Sequence, residues 1–104
     1  MAAEYALEKL MHAVDALATG AGPVQHRLGD AAIHLLTVRP EDIPEENLRR
    51  TLIGVLEDLS YAQVEGDEGR IFATLRITDD EDARAIARRI LELYHGLDRF
   101  LRER

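Results

Sequence analysis

Few residues in this chain could do chemistry. It has no Cys, one Ser and four His. Without Cys there is no disulfide, no zinc finger, no iron–sulfur cluster and no thiol nucleophile. Ser60 is followed by Tyr61 and lacks the Gly-x-Ser-x-Gly elbow of a hydrolase. Gly20-Ala21-Gly22 has no Lys-Ser or Lys-Thr after it and follows a helical pattern, so it reads as a helix stop rather than a phosphate loop. Glu92-Leu93-Tyr94-His95 is a single Glu-x-x-His unit, where a di-iron bundle needs two. Glu8, His12 and Asp15 share a helix face, but that face opposes an apolar stripe and reads as solvent-exposed. Glu45-Glu46 runs into Asn47-Leu48-Arg49, which lacks the third acid of a MazG-type nucleotide hydrolase. Neither a metal nor another cofactor is expected.

Arg27 and His34 form the one arrangement with a catalytic counterpart. They lie seven positions apart, about two helical turns, and so share a face. In this spacing, in size and in helical class the chain resembles the helical RNases of the HEPN type. The resemblance implies that His34 works on the ribose 2′-OH or the leaving oxygen, and that Arg27 stabilises phosphate charge. It also implies a toxin–antitoxin or defence setting. Leu28, directly after the Arg, departs from the polar residue such motifs often carry. The plainer reading of His34 comes from its surroundings, Ala31-Ala32-Ile33-His34-Leu35-Leu36, which favour a half-buried structural His.

The chain that must position these residues has 104 residues, of which 46% are hydrophobic and 32% charged, enough apolar material for a packed core. A net charge of -7 disfavours generic binding to nucleic acid or an anionic membrane. It is also mild for mimicry of a nucleic-acid backbone. The charge is uneven: residues 41–68 hold nine acids against Arg49 and Arg50, whereas residues 69–104 hold eight Arg against seven acids. The first ten residues lack the basic start and unbroken apolar run of a secretory signal, and no stretch reaches the length of a membrane span. A cytoplasmic protein is expected.

Apolar residues at three- and four-residue steps mark the helices. Leu7, Leu10, Met11, Val14 and Leu17 give one over 3–18, and Val24, Leu28, Ala31, Leu35 and Val38 a second from Pro23 to about Val38. Gly29 inside the second implies a close helix crossing. Pro44, Glu45 and Glu46 suit the first turn of a third helix, which runs to about Ala62. Val64 to Gly69 reads as a loop, or a loop entering a short helix. Residues 70–77 are ambiguous. Ile71, Ala73, Leu75 and Ile77 alternate as in a strand, but a lone strand has no partner in this chain, so a short helix is favoured. A strand here would have to pair with a second copy. Thr78-Asp79-Asp80-Glu81 matches a capping box, with Thr78 as the cap of a last helix over 79–101.

The expectation is a single all-α domain over 1–104, a compact bundle of four to five helices. It acts by binding, as a homodimer or docked on a larger protein partner. The expected interface is the seam Ile86, Ile90, Leu93, Leu97 and Phe100, widened by Tyr94 and Leu101, with flanking Arg meeting the acidic 41–68 region of the mate. The alternative is the HEPN-like RNase using Arg27 and His34.

Overall fold

A computed structural model of the chain describes residues 2–60 and 66–104. Five α-helices follow one another: α1 (Ala2–Thr19), α2 (Val24–Leu35), α3 (Glu46–Leu59), α4 (Asp67–Arg76) and α5 (Asp80–Glu103), with a short 3-10 turn at Pro40–Asp42 between α2 and α3. The described residues contain no strand. The all-α expectation holds, and residues 70–77 are helical apart from Ile77. Ile71 and Leu75, one turn apart, are buried.

α1 and α2 form an antiparallel hairpin. Its interior is built from small residues: Ala6 and Ala13 on α1, Ala31 and Ala32 on α2, all fully buried beside Leu10, Leu28 and Leu35. The buried face of α1 is therefore centred on Ala6, Leu10 and Ala13. Leu7 and Val14, expected in the core stripe, lie at its edge, and Met11 is 47% exposed. α4 crosses α2 at Gly29, as the sequence suggests. A methyl group there would sit 2.7 Å from the Phe72 ring, so only glycine admits the contact.

α5 runs through the centre, against α1 on one side and α3 on the other. Ile90, Leu93 and Leu97 are fully buried and Ile86 is 5% exposed, all in the chain's own core. Tyr94, Phe100 and Leu101 are half-buried. The seam expected to meet a partner thus closes the fold itself, because a helix in the middle of a bundle must turn its widest apolar face inward. One of its flanking Arg residues behaves likewise: Arg89 bonds Asp58 of α3 within the same chain.

Several helix ends differ from expectation. α2 stops at Leu35, and the amides of Leu36 and Val38 bond three residues back, at 3.3 and 3.1 Å, ahead of Pro40. α3 is capped by Glu45, whose carboxylate accepts from the Asn47 and Leu48 amides at 3.1 and 2.9 Å, so Pro44 precedes the helix. α5 is capped by Asp79, which accepts from the Asp82 amide at 2.8 Å. Thr78 instead donates its hydroxyl to the Thr74 carbonyl at 2.7 Å. α3 ends at Leu59; Ala62, Val64 and Glu65 of the expected helix end and loop lie outside the described residues.

Candidate functional site

Arg27, His34 and His12 sit along the outer edge of the α1/α2 hairpin, where side-chain contacts occur at three levels. At the open end, the Tyr5 hydroxyl donates to Thr37 Oγ1 at 2.8 Å. In the middle, the rings of His12 and His34 come together with centroids 5.6 Å apart and a 31° tilt. At the closed end, Arg27 donates from Nη1 to the Leu17 carbonyl at 2.8 Å and from Nε to the Gly22 carbonyl at 3.2 Å. The last turn of α1 has no basic residue of its own. Arg27 supplies one from α2, where the helix dipole presents unsatisfied carbonyls.

Arg27 and His34 share the face expected for them, but they do different things on it. About 10 Å of helix separates them. Arg27 has donors committed to backbone carbonyls, and His34 packs on His12. Glu8 Oε1 lies 3.7 Å from His12 Nε2, with the Glu8 side chain largely open to water and that of His12 half-buried. The contact between His12 and His34 spans two helices, so spacing within either helix gave no sign of it. Glu92, His95 and Asp15 are exposed. Among the described residues, no three His, Asp or Glu side chains stand assembled as a metal cage.

A second feature lies on the opposite edge of α1. Val14, Leu17 and Ala18 of α1 and Ala87 and Leu91 of α5 line a groove of about 540 Å³, edged by Arg84 and Arg88. It is open along its length, its floor is apolar, and Leu91 is 40% exposed. Neither Arg84 nor Arg88 has an acidic partner among the described residues. The ion pairs formed elsewhere include Glu46–Arg50, Asp58–Arg89, Asp98–Arg102 and Glu4–Arg104. A smaller cavity of about 360 Å³ lies beside the Asp58–Arg89 pair, and one of about 450 Å³ lies between α2 and α4. Neither Arg27 nor His34 lines any of the three.

The α1/α5 groove has volume enough for a small molecule but no convergent polar groups to orient one. Its shape and lining suit the side of another helix. No helix of the described residues is long and apolar enough to cross a membrane. Comparison with protein-family models, curated proteins and solved structures finds no match to this chain.

Proposed function

We propose that this protein works by binding another protein, in the first instance a second copy of itself, and that the contact is made through the α1/α5 face. One observation carries the reading. The core takes the alanine side of α1 and leaves Leu7, Met11, Val14 and Ala18, at steps of four, three and four, as an apolar stripe beside Leu91, with Met11 and Ala18 exposed and Leu7 and Val14 half-buried. That is the spacing with which helices pack on helices. Apolar burial supplies the hold, while Arg84 and Arg88 contribute orientation and encounter rate, because exposed ion pairs add little affinity. The cytoplasm is the setting proposed, in keeping with a chain free of Cys.

The RNase reading finds less support, since the Arg27 donors meet carbonyls and His34 meets a second His. Light scattering over a concentration series tests the binding reading. A mass of two chains is expected in the high-micromolar range, reverting to one chain, 11.7 kDa, in the Met11→Glu variant. Met11 is exposed, so this change leaves the fold intact. A single-chain mass for the unsubstituted protein at every concentration rejects self-association.

A further inference from the structure

The His12–His34 contact is not used by the binding surface, lying on the far side of α1 from the groove. We propose that these two imidazoles chelate a divalent transition-metal ion of the zinc type, with Glu8 as an oxygen donor. Three observations converge on this. Two imidazole nitrogens about 2.0–2.1 Å from one tetrahedral ion put their ring centroids roughly 5.2 Å apart. The rings already stand at 5.6 Å. The 31° tilt is no obstacle, because each ring turns about its own metal–nitrogen bond.

The second observation is Glu8. An oxygen and a nitrogen bound to the same tetrahedral ion lie roughly 3.4 Å apart. Glu8 Oε1 and His12 Nε2 are 3.7 Å apart, and the Glu8 side chain is 63% exposed and can turn. The site is thus a pair of imidazoles at chelating separation with a third donor in reach, not a ready-made cage. The third is that the ring of His34 has no hydrogen-bond partner among the described residues, and no buried side-chain nitrogen there is left unsatisfied. The His34 nitrogens therefore keep some exposure to water and are not held by another side chain or carbonyl.

Imidazole donors select zinc, copper and nickel over magnesium and calcium. The ion would tie α1 to α2 at mid-hairpin, between the Tyr5–Thr37 bond and the Arg27–Leu17 bond. Its fourth coordination position would face solvent.

The test is calorimetric titration of the chelator-treated full chain with ZnCl2, followed on 15N-labelled His side chains by NMR. One equivalent is expected to bind, with a rise in Tm. The ring signals of His12 and His34 move, and those of His26 and His95 do not. His12→Gln and His34→Gln each weaken binding tenfold or more, and MgCl2 gives no heat. The His12 side chain is 44% exposed, so His12→Gln carries the test if His34→Gln fails to fold. Absence of saturable Zn2+ binding, affinity unchanged by His12→Gln, or shifts at His26 or His95 instead would overturn the proposal.

Discussion

At the scale of single residues, the two glycines packed inside helix pairs make opposite demands. A methyl group on Gly29 would lie 2.7 Å from Phe72 Cε1 and 3.3 Å from Leu75 Cδ1, so a rigid aromatic ring and the buried Leu75 crowd it together. A methyl group on Gly96 would meet Leu48 Cδ2 at 2.6 Å, but that is the tip of a flexible, partly exposed side chain. Both substitutions gain helix propensity, by about 1 kcal/mol. Overpacking costs about 1–3 kcal/mol where the core cannot relax. Urea denaturation is therefore expected to show Gly29→Ala less stable than the unsubstituted chain and Gly96→Ala equal or slightly more stable. The need for closeness at Gly29 was legible from one glycine in an otherwise regular helix. Its partner, Phe72, was not, because the contact joins positions 43 residues apart.

At the scale of the helices, four of the five are plain in the sequence, the fifth, at 70–77, is ambiguous with helix favoured, and the differences lie mostly at helix ends and on one face. The α1 stripe was read from its large residues, Leu7, Leu10, Met11, Val14 and Leu17. Alanine carries little weight in such a pattern, yet Ala6 and Ala13 are what let α2 approach. Caps at α3 and α5 shifted by a residue or two because neighbouring side chains compete for the same orphan amides. Glu45 and Asp79 win that competition by accepting bonds from them. The short helix at 70–77 was legible from an absence: no second strand pattern exists to pair with it. Arg27 belongs to this scale as well, since its guanidinium closes the end of another helix. Its two bonds are only partly shielded, so Arg27→Ala is expected to destabilise the fold by about 1–2 kcal/mol in thermal or urea melts. A catalytic arginine would give a different result, namely unchanged stability with loss of an RNA-cleaving activity that the purified chain displays.

At the scale of the whole molecule, one apolar cluster draws on every helix, and α5 lies at its centre. The seam on α5 was legible as the strongest apolar pattern in the chain. Its destination was not, because a seam that closes a bundle and one that joins two bundles have the same spacing. Only the position of α5 between α1 and α3 decides it. The surplus apolar surface lies instead where the alanine face of α1 turns inward and leaves Met11, Val14 and Leu91 at the edge. That face is the central claim, and NMR of the 15N-labelled protein over a concentration series tests it most directly. Concentration-dependent amide shifts are expected at Met11, Val14, Ala18, Ala87 and Leu91, with the outer turns of α3 and α4 unmoved. Shifts absent throughout, or clustered at the α2/α4 edge around His26 and Arg76, would contradict it.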